Sequence, residues 1–204
     1  MTKAIFLDFE GVVTSQWNII HGVIFSELKG YITMEELDRR YHLAKLGKMP
    51  FEEFVRGIPE EKWRAFAKHV LYRKGSKEAL EGLKREGKYA LYLASNHIPG
   101  FFEEEIALLG AKKYFKGLFA SHELGAAKPD SEFFEKMLEK AGLEAKDCVF
   151  VDDAKKNLET AKEMGFTTVW MDNGNDDKRN DTPFRPDFSI RDLRDLDKAL
   201  QEIR

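Results

Sequence analysis

Residues 4–11 read Ala4-Ile5-Phe6-Leu7-Asp8-Phe9-Glu10-Gly11. Four apolar residues make a short run fit for a central parallel strand, and two acids stand at its end. Gly11 then permits the tight backbone turn that a strand-end site needs. Open α/β sheets place their ligand sites at the C-terminal ends of strands, so the position of these acids governs the reading of everything after them. The same arrangement returns twice. Tyr89 to Ala94 leads into Ser95-Asn96, and Cys148 to Val151 leads into Asp152-Asp153. A fourth signal, Lys128-Pro129, stands before a helical pattern.

From about Thr14 to Arg73 the apolar residues fall at helical spacing. Phe25, Leu28 and Ile32 form one stripe, Leu37, Tyr41 and Leu46 another, and Trp63, Phe66 and Val70 a third, with Pro50 and Pro59 between helices. After Gly75 strand and helix alternate. Ser76 is expected to cap a helix that stops at Gly87, and Tyr89 to Ala94 is strand. Phe101 to Leu109 is helix, and Gly117 to Ser121 is strand. Asp130 opens a helix that ends at Gly142, and Cys148 to Val151 is strand. A helix with Leu158, Ala161 and Met164 follows, and Thr167 to Met171 is the last clear strand. Asn173 to Asp187 reads as a polar surface loop before a closing helix with Leu193, Leu196 and Leu200. The expected fold is an α/β, doubly wound parallel sheet with a small helical insert: residues 1–13 and 74–204 make the core, and residues 14–73 a cap.

Composition narrows the function classes. A chain of 204 residues has room for one core plus a small module. The formal charge of −3 offers no basic footprint for nucleic acid. No stretch approaches the ~20 apolar residues of a membrane helix. A lone cysteine, Cys148, cannot form an internal disulfide, and with no secretory segment a cytoplasmic location is expected. Oligomeric state is not legible.

The acids, the hydroxyl and the lysine suit a phosphate and a divalent cation. Asp8 can attack phosphorus if positive groups screen the repulsion between two anions. Glu10 can protonate the leaving oxygen and then activate water. Ser95 can give its hydroxyl to a phosphoryl oxygen, Asn96 can orient the loop or Asp8, and Lys128 would neutralise Asp8 and the phosphoryl group together. Asp152 and Asp153, with Asp8 and the Glu10 carbonyl, make an oxygen-donor site suited to Mg²⁺. No histidine–cysteine cluster supports zinc. His97 and His122 adjoin two of the motifs and read either as loop histidines or as substrate contacts. Trp17, Asn18 and His21 lie nearest the insert's hinge and could reach the leaving group.

This order of motifs resembles the haloacid dehalogenase superfamily of aspartyl-phosphate-forming hydrolases, over Ala4 through Leu200. The Asp152-Asp153 pair followed by Asn157, and the helical insert after the first motif, are similar to the branch containing sugar-phosphate phosphatases and the N-terminal domain of soluble epoxide hydrolases. The resemblance implies that Asp8 becomes an aspartyl phosphate and that Asp153 ligates the metal directly. Asp152 is then a second ligand or a partner of Lys128, and Asn157 braces the loop. Glu10 departs from the aspartate that most phosphatases of this family carry, although an Asp-x-Glu-Gly pattern occurs in the enolase-phosphatase branch. The expected activity is Mg²⁺-dependent hydrolysis of a small phosphorylated metabolite under a mobile lid. The alternatives are a phosphate-binding module weakened by Glu10, or dehalogenation or phosphonate cleavage at the same nucleophile.

Overall fold

Six short apolar runs form one parallel sheet: β1 (Ala4–Leu7), β2 (Ala90–Ser95), β3 (Gly117–Ala120), β4 (Cys148–Asp152), β5 (Thr167–Met171) and β6 (Phe188–Ile190). Their order across the sheet is β3-β2-β1-β4-β5-β6. The structure is a computed structural model and describes residues 2–15, 25–174 and 178–202. Trp17, Asn18 and His21 lie outside the described residues, as does the side chain of Phe66.

The sheet is apolar on both faces because helices cover both. Ile5 and Leu7 of β1 point into one core with Leu80, Leu83, Ile106, Leu196 and Leu200. Ala4 and Phe6 point into the other, with Phe133, Phe134, Met137, Leu158 and Ala161. Phe6 stacks on Tyr92 of β2, ring centroids 4.8 Å apart. The helices that supply these side chains follow the strands in the expected alternation.

In chain order the helices are α1 (Phe25–Leu28), α2 (Met34–Lys45), α3 (Phe51–Phe54), α4 (Glu60–Trp63), α5 (Ser76–Glu86), α6 (Phe101–Leu109), α7 (Ser121–Leu124), α8 (Ser131–Ala141), α9 (Lys155–Glu163) and α10 (Leu196–Gln201). The first four all lie between β1 and β2. Thr33 caps α2 by accepting from the Glu36 amide, whereas Pro50 and Pro59 open α3 and α4. The third apolar stripe runs from α4 into a 3-10 segment, Arg64–His69. Leu28, Leu37, Phe54 and Val70 from this region share a third apolar cluster with Ile98 and Phe101. The helical segment therefore rests on the loop between β2 and α6.

Three local expectations need correction. Gly75, at φ +81°, holds the cap position of α5, and Ser76 is its first residue; the Ser76 hydroxyl instead donates to the Val12 carbonyl at 3.0 Å. Ser121 opens α7 rather than ending β3. The polar stretch after β5 contains a 3-10 turn at Lys178–Asn180 and leads into β6, a sixth strand that pairs with β5. Three residues with one inward side chain, Ile190, are too short a pattern to announce a strand.

Candidate active site

β1 sits between β2 and β4 with Leu7 level with Leu93 and Val151. Residues just past those positions therefore converge at one edge of the sheet. Asp8 follows β1, Ser95 ends β2, and Asp152 ends β4 with Asp153 next; all four are buried. The Asp8 amide still donates to the Val151 carbonyl at 2.9 Å, so the carboxylate is carried on rigid sheet rather than on a free loop.

Lys128 enters this edge from the loop before α8 and is itself buried. Its ammonium donates to the Ala94 carbonyl at 3.0 Å and to Asp152 Oδ2 at 2.7 Å, and lies 2.9 Å from Asp8 Oδ1. An ammonium has three hydrogens, so all three are engaged. Burial disfavours the charge, but Asp152 and Asp8 outweigh it and hold the lysine above its usual range. Asn96 fixes the Lys128 backbone from both sides, donating to its carbonyl and accepting from its amide at 2.8 Å each. Asn157 Nδ2 lies 3.1 Å from both Asp152 oxygens, and the Ala154 amide donates to Asp152 Oδ1 at 2.8 Å. Asp152 is thus the partner of Lys128, braced by Asn157 and by the loop backbone.

Asp153 faces the other side. Its Oδ2 accepts from Arg179 at 3.1 Å and from Asn173 at 3.3 Å, and its carbonyl accepts from the Trp170 indole. Asn173 Nδ2 also lies 3.2 Å from the Gly11 carbonyl. Gly11 has φ +79°, and a Cβ there would lie 2.5 Å from Asp153 Oδ2. The glycine is required both by its backbone angle and by the carboxylate against it.

Oxygens of Asp8, Asp152 and Asp153 lie within 4.8 Å of one another. Burial, and then the charge of Asp152, push the Asp8 carboxyl up to about 7 against the opposing effect of Lys128. A buried cluster of hard oxygen donors short of positive charge fits a small hard dication such as Mg²⁺ and does not fit a soft metal.

Glu10 stands beside this cluster. Burial pushes its carboxyl up to about 7, with His97 opposing and Glu105 and Asp8 adding to the rise. His97 is buried, not a surface loop residue, and its Nε2 lies 3.4 Å from Glu105 and 3.8 Å from Glu10. Burial lowers its pKa, but Glu105 and Glu10 together push it up to about 9. His122 turns away, its Nδ1 3.1 Å from the His97 carbonyl and its Nε2 3.3 Å from Glu103. The phenol of Tyr41, on α2, is held above its usual range by burial and then by the charges of Glu10 and Asp8.

Arg179, Asn173 and Glu105 were not among the site residues expected from sequence, and Tyr41 entered there only as part of an apolar stripe. Glu105 carried a signal: it interrupts the inward stripe of Phe102 and Ile106 on α6. Arg179 and Asn173 sit in a polar stretch where nothing marks one residue above its neighbours.

A family model described as haloacid dehalogenase-like hydrolase matches residues 11–171, beginning just after Asp8 and Glu10. The D-ribitol-5-phosphate phosphatase of Bacteroides thetaiotaomicron is 29% identical over 160 residues, 75% of this chain and 73% of the relative. The glyceraldehyde 3-phosphate phosphatase of Methanocaldococcus jannaschii is 31% identical over 102 residues, 50% of this chain but only 44% of the relative. The chain thus spans less than half of that relative's length. Among solved structures, a family enzyme of Bacteroides thetaiotaomicron in complex with magnesium and inorganic phosphate superposes with a TM-score of 0.73 at 21% identity, covering 89% of this chain and 100% of that one. A 2-haloacid dehalogenase of Pseudomonas syringae superposes nearly as well, TM-score 0.72 at 19% identity over 100% of both chains.

Proposed function

The chain belongs to the haloacid dehalogenase-like hydrolase family, and we propose that it is a Mg²⁺-dependent phosphatase of a small phosphorylated metabolite. The observation that carries this reading is the buried set Asp8, Asp152 and Asp153 gathered around one lysine at the strand ends. Dehalogenation attacks a neutral carbon: Asp8 would serve it as nucleophile, but an acidic Glu10 and the cation-ready Asp152-Asp153 pair would have no task. The curated relatives named above act on phosphate esters, which supports the same choice.

In this reading Asp8 attacks phosphorus, the bond from phosphorus to the leaving oxygen breaks, and Glu10 gives that oxygen its proton. Water then attacks the phosphorus of the aspartyl phosphate, Glu10 takes the water's proton, and inorganic phosphate departs. A carboxyl pushed up to about 7 is suited to both halves of this exchange near neutral pH. Asp8, Asp153 and the Glu10 carbonyl would hold Mg²⁺, whose charge offsets the repulsion between nucleophile and phosphoryl group. Lys128 screens Asp8, and the hydrogen it gives Asp8 is the one free to pass to a phosphoryl oxygen. Ser95 and the adjacent backbone amides complete the phosphoryl cradle, and Asn96 holds Lys128 in place.

The helices from residue 14 to residue 73 act as a cap domain over the core of residues 1–13 and 74–204. Tyr41, whose phenol feels the charges of Glu10 and Asp8, would meet substrate from the cap, with the Lys45 ammonium 5.6 Å from its ring centroid. Trp17, Asn18 and His21 remain candidates for the leaving-group side, with His97 acting behind Glu10. A cytoplasmic location is in keeping with Cys148, whose thiol is pushed up to about 12 by burial and is inert.

The experiment is phosphate release from a panel of sugar phosphates and p-nitrophenyl phosphate, with Mg²⁺ and with EDTA, for wild type and Asp8→Asn. Release that needs metal and vanishes in the variant is expected. Release that survives Asp8→Asn, or halide release from a 2-haloacid without metal, would overturn the reading.

A further inference from the structure

Glu105 is out of place on α6. It projects inward between Phe102 and Ile106 and is 1% exposed, where a carboxylate costs several kcal/mol unless it is paired. Its neighbour is His97, 2% exposed, whose Nε2 lies 3.4 Å from Glu105 Oε1. Neither atom has a hydrogen-bond partner of standard length among the described residues. The same Nε2 lies 3.8 Å from Glu10 Oε1, so one imidazole edge addresses two carboxylates.

The rest of the ring is fixed. Nδ1 lies 3.3 Å from the Ile98 carbonyl, to which the protonated ring donates, the His97 amide donates to Ser121 Oγ at 3.0 Å, and the Ser121 hydroxyl donates back to the His97 carbonyl at 3.1 Å. Phe9 and Phe102 pack beside it with ring centroids 6.3 and 5.4 Å away. A buried ion pair is a poor source of stability compared with apolar residues of the same volume. Its place beside Glu10 gives it a reason to be there.

Resting on the phosphatase reading, we propose that His97 and Glu105 are positioning residues for Glu10, holding its carboxyl in one orientation beside Asp8. Glutamate has one more rotatable bond than aspartate and reaches ~1.5 Å further. That freedom would loosen a general acid on its own, and the fixed imidazole edge removes it. Glu10 is then a tuned acid, and Glu10→Asp, which withdraws the carboxyl from His97, lowers turnover.

The test compares wild type, His97→Gln, Glu105→Gln, Glu10→Gln and the Glu10→Gln/His97→Gln pair on ribose 5-phosphate and p-nitrophenyl phosphate, with folding checked by thermal melts. A sugar alkoxide must be protonated as it leaves, whereas p-nitrophenolate departs unaided. His97→Gln and Glu105→Gln should each lower kcat/KM for the sugar phosphate by about tenfold or more and spare kcat/KM for the aryl ester, because hydrolysis of the aspartyl phosphate, where Glu10 serves both esters alike, falls after the step that ratio reports. In the Glu10→Gln background, His97→Gln should cost nothing further. Equal losses on both esters, or additive losses in the pair, would overturn the positioning role. Loss of the role of Glu10 itself shows differently, as full sugar-phosphate activity in Glu10→Gln. Crystal structures give a readout independent of turnover: Glu10 should hold one rotamer in wild type and spread over several in His97→Gln. One unchanged rotamer in both would count against the role.

Discussion

Lys128 shows at the scale of one residue why this site is assembled inside the protein rather than on its surface. Its side chain is 1% exposed, and its two acidic partners, Asp8 and Asp152, are 8% and 0% exposed. Removing one member of such a set leaves uncompensated charge in a low-dielectric interior, which costs ~3–5 kcal/mol. Lys128→Ala should therefore lower the unfolding free energy of the metal-free protein by that amount, read as a fall in the urea midpoint. Lys136→Ala, which breaks an exposed pair with Glu132, should leave the midpoint where it is. A midpoint equally insensitive to both substitutions would mean that the interior pair carries no structural weight. The acids of this cluster were legible in sequence because each is a polar residue at the end of an apolar run, a contrast that survives without any knowledge of contacts, and Lys128 was legible as Lys-Pro before a helical pattern. Arg179 and Asn173 were not legible for the opposite reason, and the stripe that Glu105 interrupts marks it as odd without naming its partner. What these three do depends on what faces them across 8, 26 and 20 residues of chain or more, from His97 and Asp153, and no local pattern records that.

At the scale of elements, every strand but the edge strand β6 was readable. β1, β2 and β4 are largely apolar runs because helices cover both faces, whereas β6 is held by side chains as much as by its own ladder. Asp187, just before β6, accepts from the Thr168 amide and hydroxyl at 2.9 Å each and pairs with Lys162. Burial disfavours its charge, but Lys162 and Thr168 outweigh that and hold the carboxyl below its usual range. A depressed carboxylate contributes stability that is present above its unfolded pKa and is lost as pH falls through the lower, folded value. Asp187→Asn should thus cost about 1 kcal/mol at pH 7, given the partial exposure of the Lys162 contact. The difference from wild type should shrink as pH drops below about 4. Denaturant melts at pH 7, 5 and 3 read this directly, and a gap that stays constant would show that the hydrogen bonds, not the charge, hold the edge. Ser76 teaches the same lesson about caps. A serine at a helix start is ordinarily an N-cap, yet here Gly75 takes the cap and frees the hydroxyl to tie α5 to the turn after Glu10, at Val12.

Across the whole molecule, the sheet order β3-β2-β1-β4-β5-β6 reverses direction on either side of β1, and the crevice at that switch point is where the acids collect. Strand and helix alternation was enough to anticipate a parallel, doubly covered sheet, but not the order of its strands, which depends on crossovers rather than on any residue pattern. The consequence is a fold with negative charge concentrated at its central edge, and that makes global stability responsive to a cation. A dication that binds the native cluster and not the unfolded chain raises stability by ~2.7 kcal/mol at a hundredfold excess over its Kd. For a chain of this size each kcal/mol moves Tm by ~2–4 °C, so saturating Mg²⁺ should raise Tm by ~5–10 °C. Matched ionic strength from NaCl should not reproduce the rise, since screening acts weakly on buried charges. Asp153→Asn, which removes a donor without emptying space, should abolish most of the shift, while Lys3→Ala, on an exposed pair with Asp147, should leave it intact. No shift in wild type, or a shift that Asp153→Asn retains in full, would show that the cluster at the strand ends is not where the cation binds.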